Sequence, residues 1–345
     1  MVIAVPEVSP PPRSRASMSI PPGSSPTPLQ LTSPENLASA AIRGLSGHPK
    51  HIPAKWLYDA AGTALFVKIT KEPEYYITSA EHSILAAART AIADISGARA
   101  LIELGTGSPE RTRLLLEALS GTLTCYVPVD VSPTAISRTT APTADLPAVT
   151  VSTIVADFTE TLDHPPVDGP RLLTILGGTF GNLLPHERAR CLHSVAGRLG
   201  PGDRLLLGVD LVQDPDVAVS AFDDAAGLTA QFNTNLLHRL NRELGGDFDV
   251  DAFDHVALWD SSNHCVEMRL RSCRAQTVAL TRIDLMVPFA AGEDLRTKTS
   301  ATFQRHTLAR ELTCCGLELT HWWPDQNNTY GLALAARPDD LTTAP

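Results

Sequence analysis

Apolar and polar residues follow two patterns along this chain, one typical of β-strands and one typical of α-helices. From Arg99 onward, short β-rich apolar runs alternate with stretches of helical periodicity; the runs are ALIELG, LTCYVPVD, VTVSTIVAD, RLLTILGG and RLLLGVD. Regular alternation of strand and helix predicts an α/β fold with a parallel, doubly wound sheet. Near the end, LELTHWW and YGLALAAR predict a closing antiparallel pair of strands.

The ends of the predicted helices are marked by residues with known positional preferences. In GSPERTRLLLEAL, Ser108 stands at the N-cap and Pro109 at the first helical position. A later helix is predicted to begin at Pro185 and to stop at Gly200. The first helix of the chain is predicted near residue 36, capped by Ser33 or Asn36.

Two regions interrupt the alternation. The first 34 residues hold nine of the 27 prolines, mixed with serines, and residues 1–33 are therefore predicted to be a disordered leader. Between about Asp210 and Ser300, a polar helical stretch is followed by β-patterned segments, and this insertion is too long for a loop. We predict that residues 34–80 and 211–302 form a second domain. It would cover the carboxyl edge of the sheet built by residues 81–210 and 303–345, where α/β proteins bind ligands.

Composition limits the classes of function. With 345 residues, 43% of them hydrophobic, the chain can bury a large core. A formal net charge of -10 without any basic run argues against a nucleic-acid partner, and no apolar run approaches a membrane span. No signal peptide is apparent, and the six scattered cysteines predict buried free thiols rather than a metal site or disulfides. We expect a cytoplasmic enzyme with a small substrate and no metal; nothing indicates an obligate dimer.

Acidic side chains end three successive predicted strands. The first strand ends at Glu103, and Gly105 and Gly107 follow it at the start of a capped helix, where the backbone can approach a ligand closely. The second ends at Asp130, which is placed to accept hydrogen bonds from both hydroxyls of a ribose. The third ends at Asp157–Phe158, an acid and an aromatic ring that suit an adenine. Each acid alone is equally well explained as a solvated strand end or helix cap, but their coincidence favours a nucleoside-bearing cofactor.

The glycine loop excludes one common alternative and suggests another class. A dinucleotide-binding fingerprint requires a third glycine where Glu110 stands, so a nicotinamide dehydrogenase is the poorer interpretation. The sequence E-L-G-x-G, followed by D and then D-F, resembles class I methyltransferases. Longer motifs narrow the resemblance, among them IPAKWLYDAAGTALF, LGGTFGNLLPHERAR and HWWPDQNNTYGLALA. Over about residues 50–336, the chain resembles the histidine-specific Nα-methyltransferases that begin ergothioneine synthesis.

The resemblance implies a fold and a methyl donor. The fold is a class I methyltransferase domain with an inserted α+β substrate-binding domain. The donor is S-adenosylmethionine, and the implied donor residues are Gly105, Gly107, Asp130, Asp157 and Phe158. Arg111 stands where the family often has lysine and is implied to lie near the donor carboxylate; the alternative is a solvated charge on a helix.

The resemblance also implies an amino-acid pocket. Tyr58, Tyr75 and Asn182 match substrate residues of the family, and Tyr58 and Asn182 are implied to orient the reacting nitrogen. Without the family, both tyrosines would be interpreted as packing at a domain interface. Met268 keeps the family's residue beside the pocket, and Ser300 is also retained.

Two pocket positions depart from the family. Phe222 replaces a tyrosine that helps to hold the substrate carboxylate, and the loss of its hydroxyl should weaken binding by about 1–3 kcal/mol. Lys298 replaces a glutamate that helps to select the imidazole, so the local charge is inverted. The alternative is drift, with the lysine turned into solvent. We hypothesise a reversed substrate, with its α-carboxylate on Lys298 and Ser300 and its distal nitrogen beside Asn182.

Arginine fits this hypothesis by its length and planar donors, and an arginine guanidino N-methyltransferase of streptozotocin synthesis belongs to the same broad family. Lysine and ornithine also satisfy the charge argument. The alternatives are Nα-trimethylation of histidine and a non-catalytic methyltransferase-like binding module. A guanidinium must lose a proton, and the sequence offers Asp59, Glu74 and Asp223, each beside an implicated residue, without distinguishing among them.

Overall fold

The structure, a computed structural model, describes residues 36–160 and 167–340. The predicted leader, residues 1–33, lies outside this part of the chain. The α-helices of the described part are α1 (Leu37–Leu45), α2 (Ala60–Ile69), α3 (Tyr76–Ser96), α4 (Pro109–Leu119), α5 (Pro133–Thr140), α6 (Pro185–Ala196), α7 (Pro215–Ser220), α8 (Leu228–Leu244) and α9 (Arg305–Cys314).

The strands fall into a large sheet, a small sheet and a hairpin. In chain order they are β1 (Lys50–His51), β2 (Ala100–Leu104), β3 (Cys125–Asp130), β4 (Thr150–Val151), β5 (Ile154–Val155), β6 (Arg171–Ile175), β7 (Arg204–Asp210), β8 (Phe253–Asp260), β9 (Cys265–Ser272), β10 (Gln276–Leu280), β11 (Leu285–Phe289), β12 (Asp294–Ala301), β13 (Glu318–Pro324) and β14 (Tyr330–Ala336).

The large sheet has the order β13-β14-β7-β6-β2-β3-β4, with β5 also paired to β3. Strands β2, β3, β6 and β7 run parallel, whereas β14 is antiparallel to both of its neighbours. Every residue of β2 and β14 is buried, because both faces of such a sheet are covered. This arrangement confirms the predicted α/β fold with its closing antiparallel pair.

Several predicted elements end or divide differently. The run VTVSTIVAD forms two strands of two residues each, β4 and β5, rather than one strand. The helix that begins at Pro185 ends at Ala196, earlier than expected, because Gly197 already takes the C-cap position. Asn36 is the cap of α1, and its side chain accepts a hydrogen bond from the Ser39 amide at 2.8 Å.

The small sheet has the order β1-β12-β9-β8 and draws its strands from residues 50–51 and 253–301. The chain leaves the large sheet at Asp210 and returns beside it, since the Phe303 amide donates to the Asp210 carbonyl at 2.7 Å. The exit and return points of the insertion are therefore adjacent. The exact domain boundaries, at residues 80, 210 and 302, stay a prediction.

Two sequence expectations concern the surface. Cys273 and Cys314 are exposed, so burial of all six thiols was a wrong expectation. Cys273 follows the last residue of β9, and Cys314 is the last residue of α9, so both stand at the end of an element rather than in its buried interior. Within residues 36–160 and 167–340, no helix combines the length and the apolar character needed to cross a membrane.

Candidate functional site

A cavity of about 1590 Å³ lies at the carboxyl ends of the parallel strands. One side is lined by residues that follow those strands, including Gly105, Asp130 and Asp157. Other parts of the wall include Tyr58 and Lys298. A site for one small ligand usually measures about 300–1,000 Å³, so this cavity has room for two reactants.

The loop after β2 provides the close backbone approach that a bound nucleoside requires. Gly105 has a φ of 78°, a conformation that favours glycine. A Cβ atom at this position would lie 3.1 Å from Thr179 Cγ2 and 3.5 Å from Phe158 Cε1. Helix α4 begins just beyond, with Ser108 as its N-cap, as predicted. The glycine therefore keeps open a space that any side chain would narrow.

Asp130 faces this space from the end of β3. Its Oδ2 accepts a hydrogen bond from Thr106 Oγ1 at 3.0 Å, and its Oδ1 accepts one from the Ser132 amide at 2.8 Å. Burial raises the pKa of Asp130 to about 6, although these two bonds oppose the rise. A carboxylate has about four lone-pair sites, so two remain for the hydroxyls of a ribose.

Asp157 is the second acid of the proposed donor site. Its Oδ1 accepts hydrogen bonds from the amide and hydroxyl of Thr159, at 2.9 and 2.6 Å. Its Oδ2 accepts one from Lys55 Nζ at 2.7 Å. Phe158 also lines the cavity, beside Gly105, where its ring can cover an adenine. Sequence reasoning did not find Lys55, because nothing in KWLYD indicates a partner about a hundred residues away.

Arg111 lines the cavity but is only 5% exposed, so it is not a solvated helix charge. Its guanidinium donates to Glu81 Oε2 at 3.0 Å and to Glu103 Oε1 at 3.2 Å. Two buried carboxylates around one guanidinium leave the cluster with a net negative charge. Contact of Arg111 with the donor carboxylate stays a prediction, and this cluster does not favour it.

Glu81 is a site residue that sequence reasoning missed. Besides Arg111, it accepts hydrogen bonds from Tyr330 Oη at 2.8 Å and from the Gly177 amide at 2.7 Å. It thereby joins helix α3 to the loop after β6 and to strand β14. Glu81 is the acidic residue of the SAEHS segment. An acidic residue on a predicted helix is most often exposed to solvent, so the segment alone did not indicate a site residue.

Four polar groups of the proposed amino-acid pocket are available to a ligand. They are the hydroxyls of Tyr58 and Tyr75, the side-chain amide of Asn182 and the ammonium of Lys298, and all four residues line the cavity. Within residues 36–160 and 167–340, none of these four groups has a hydrogen-bond partner. Burial raises the pKa of both tyrosines well above the usual range, so their hydroxyls stay protonated.

Lys298 does not turn into solvent. It is 6% exposed, and its Nζ lies 5.0 Å from the centre of the Phe222 ring and 5.9 Å from that of Phe66. Burial lowers the pKa of Lys298 to about 8. The sequence alternative of a solvated lysine is therefore wrong.

Three further predicted pocket residues lie behind the cavity wall. Met268 pairs with Lys298 across strands β9 and β12 and is 1% exposed. Phe222 packs its ring 6.1 Å from that of Tyr75. Ser300 is buried and, like Met268 and Phe222, is not among the residues that line the cavity. A direct contact between Ser300 and a substrate carboxylate is thus not supported by this geometry.

The three candidate proton acceptors also lie away from the cavity lining. Asp59 caps helix α2 and pairs with Arg242 at 2.7 Å. Glu74 accepts a hydrogen bond from the Ala225 amide at 3.3 Å. Asp223 is 62% exposed. Their proximity in sequence to Tyr58, Tyr75 and Phe222 did not carry over into space.

Comparison with known proteins identifies the family of this chain. The family described as "Histidine-specific methyltransferase, SAM-dependent" matches residues 37–337. The chain is 46% identical to the histidine N-alpha-methyltransferases of Mycolicibacterium smegmatis and Mycobacterium tuberculosis, over 297 residues that cover 85% of this chain and 92% of each relative. It is 26% identical to the N-methyltransferase fsqC of Aspergillus fumigatus, over 88% of this chain and 84% of that protein.

The chain belongs to the S-adenosylmethionine-dependent, histidine-specific methyltransferase family. It is an N-methyltransferase that uses S-adenosylmethionine as methyl donor, as the sequence predicted.

Proposed function

We propose that this chain methylates a nitrogen of a free amino acid whose carboxylate pairs with Lys298. The observation that carries the proposal is the buried Lys298 ammonium, which contacts two aromatic rings but no carboxylate in residues 36–160 and 167–340. A buried charge without a partner is costly, so the pocket favours a ligand that brings the missing anion.

The part of the pocket around Tyr75 favours a positive or proton-donating group. Tyr75 is close enough to Glu81 for that carboxylate to raise its pKa, after the larger effects of burial and Tyr58. Glu81 belongs to the negatively charged cluster with Glu103 and Arg111. A substrate with its carboxylate on Lys298 and a nitrogen-bearing end near Tyr75 matches this polarity.

The proposed residues act by orienting two reactants. S-adenosylmethionine supplies an electrophilic methyl group on sulfur, and Gly105, Asp130 and Asp157 are proposed to hold its nucleoside part. Asn182, at the loop after β6, would accept a hydrogen bond from the reacting nitrogen and direct its lone pair. The uncharged nitrogen attacks the methyl carbon, the nitrogen–carbon bond forms as the sulfur–carbon bond breaks, S-adenosylhomocysteine leaves, and the proton on the methylated nitrogen passes to solvent water. Alignment of bound reactants can supply about 7–11 kcal/mol of such a barrier.

Arginine, methylated on its guanidino nitrogen, is the substrate that Lys298 favours. Its carboxylate would pair with Lys298, and its planar guanidinium would reach the donor end beside Tyr58 and Tyr75. The missing hydroxyl at Phe222 agrees, because the family's carboxylate contact at that position is lost.

Histidine, methylated on its α-amine, is the second candidate, and the comparisons favour it over arginine. The proton balance also favours it. An α-amine loses its proton several pH units below a guanidinium, whose pKa exceeds about 12, and the three acids suggested as acceptors lie outside the cavity lining. The two candidates therefore differ in which end of the amino acid meets Lys298.

The deciding experiment incubates the purified protein with S-adenosylmethionine and, separately, arginine, histidine, lysine or tryptophan, followed by mass spectrometry. Pairing of the substrate carboxylate with Lys298 predicts methylated arginine. Trimethylated histidine as the sole product overturns the reversed orientation and leaves the family's own reaction.

A charge-reversal pair sharpens the result. In Lys298→Glu, the arginine product should disappear and histidine methylation should rise, because the family's charge is restored. Lys68→Glu makes the same change on an exposed lysine of helix α2 and should leave the product unaltered. Loss of arginine methylation in both variants would show that the effect is not specific to the pocket.

A further inference from the structure

The ion pair between Lys55 and Asp157 joins two parts of the cavity that are far apart in sequence. Lys55 Nζ lies 2.7 Å from Asp157 Oδ2 and 3.5 Å from Glu160 Oε1. The side chains of Lys55 and Asp157 are 19% and 7% exposed. Both residues line the cavity. The pair is thus well shielded from water. Ion pairs that are shielded in this way are screened least by dissolved salt.

Asp157 retains room for one further hydrogen bond. The amide and hydroxyl of Thr159 occupy Oδ1, and Lys55 occupies one site on Oδ2. One of about four lone-pair sites is left, which suits an adenine amine. The adenine and Lys55 would then share a single carboxylate, and the bound donor would bury their contact further.

Lys55 stands on the same short turn as Tyr58. The 3₁₀ turn Ala54–Leu57 ends at Tyr58, whose amide donates to the Lys55 carbonyl at 3.4 Å. Between them, the Trp56 carbonyl accepts from Arg239 Nη1 at 3.0 Å. The Trp56 ring lies 5.5 Å from Lys55 Nζ and 5.1 Å from the Arg239 guanidinium. A turn tied at both sides moves as a unit, so a restraint on Lys55 reaches Tyr58.

We infer that Lys55 is a positioning residue that couples occupancy of the donor site to the position of Tyr58 in the amino-acid pocket. Lys55 contacts Asp157 rather than the reacting atoms, and it acts by fixing the turn Ala54–Leu57 against the donor site. Donor binding would order this turn, and by linkage a pocket ordered through the turn would bind the donor more tightly. The inference rests on the proposed donor role of Asp157.

Hydrogen–deuterium exchange tests this coupling without an amino-acid substrate. The protein is saturated with S-adenosylhomocysteine, and exchange is followed in peptides covering residues 53–60 and 105–112. In wild type, we expect both segments to exchange about fivefold more slowly with the ligand, the lower end of typical coupling factors. In Lys55→Met, residues 105–112 should keep this protection, whereas residues 53–60 should lose most of it.

Two control variants make the outcome specific. Lys68→Met removes an exposed lysine from α2 and should behave as wild type, and Lys55→Arg keeps the cation and should retain the protection of residues 53–60. Equal protection of residues 53–60 in Lys55→Met and wild type would overturn the coupling, as would an equal loss in the arginine and methionine variants. Absence of protection at residues 105–112 in wild type would overturn the donor site itself. Failure of arginine and histidine turnover bears only on the substrate proposal.

Discussion

The two halves of the cavity differ in how completely the protein satisfies their polar groups. In the donor half, Asp130 and Asp157 already accept hydrogen bonds from neighbouring residues. In the amino-acid half, Tyr58, Tyr75 and Lys298 have no hydrogen-bond partner within the part of the chain that the structure describes. One half is preorganised by the protein, and the other is completed by its ligand. Substitutions in the second half that lie outside the turn Ala54–Leu57 and Tyr58, such as those at Lys298, can therefore change the substrate without disturbing the donor.

The largest effect is expected from Asp130→Ala, which removes a carboxylate from the donor half of the cavity. Hydrogen bonds to a charged group contribute about 1.5–3 kcal/mol each, so the loss of two ribose contacts should weaken S-adenosylhomocysteine binding by about 1000-fold. Isothermal titration calorimetry measures this change. Asp145→Ala removes an exposed carboxylate in the segment after α5 and should bind as wild type does. Unchanged affinity in Asp130→Ala would remove Asp130 from the donor site.

A smaller and more selective effect is expected from Lys298→Met, which removes a charge from the amino-acid half of the cavity. Removing one partner of a buried charge pair costs about 2–5 kcal/mol, so kcat/KM for the carboxylate-bearing substrate should fall by about 100-fold. The affinity for S-adenosylhomocysteine should stay within a factor of about two, since the rings beside the Lys298 ammonium, Phe66 and Phe222, are not among the proposed donor residues. A parallel loss of donor affinity would contradict the separation of the two halves.

The same contrast explains what could be predicted from the sequence. The donor half could be predicted because its glycines and acids stand directly after predicted strands, so local sequence is enough to place them. Gly105, Asp130 and Asp157 do line one cavity. The ion pair of Lys55 with Asp157 was not readable, because it joins segments whose proximity depends on tertiary packing. Glu81 escaped for the same reason, since its partners come from helix α4, the loop after β6 and strand β14.

In the amino-acid half, the resemblance to the family predicted which residues lie near the pocket, but not which of them line the cavity. Tyr58, Tyr75, Asn182 and Lys298 line it, whereas Ser300 does not. Strand alternation puts residues two apart on the same face, yet Arg296 and Lys298 line the cavity and Ser300, farther along β12, does not. Sequence neighbours of pocket residues, such as Asp59, were also misleading, because a helix cap turns the carboxylate toward the backbone.

The charge of Lys298 should make substrate binding in the amino-acid half depend on pH. Burial lowers its pKa to about 8, so the ammonium that binds a carboxylate is present below pH 8 and is lost as the pH rises through that value. Because kcat/KM reports the free enzyme, it should fall about tenfold per pH unit above pH 8. In Lys298→Arg, the charge persists and this fall should vanish, apart from any contribution of the amino acid itself. An unchanged profile in Lys298→Arg would assign the titration to another group.

The smallest expected effect comes from Phe222→Tyr, which restores the family's hydroxyl behind the wall of the amino-acid pocket. Phe222 itself does not line the cavity, but its ring lies 6.1 Å from the Tyr75 ring and 5.0 Å from Lys298 Nζ, and both of these residues do. The added hydroxyl extends beyond the present ring and is expected to reach a substrate carboxylate at the family's position. One hydrogen bond contributes about 0.5–1.5 kcal/mol, and kcat/KM for histidine should rise about fivefold while that for arginine changes little. Steady-state kinetics with both amino acids measure the difference. A rise for arginine instead would mean that its carboxylate lies toward Phe222 rather than Lys298, and the reversed orientation would be wrong.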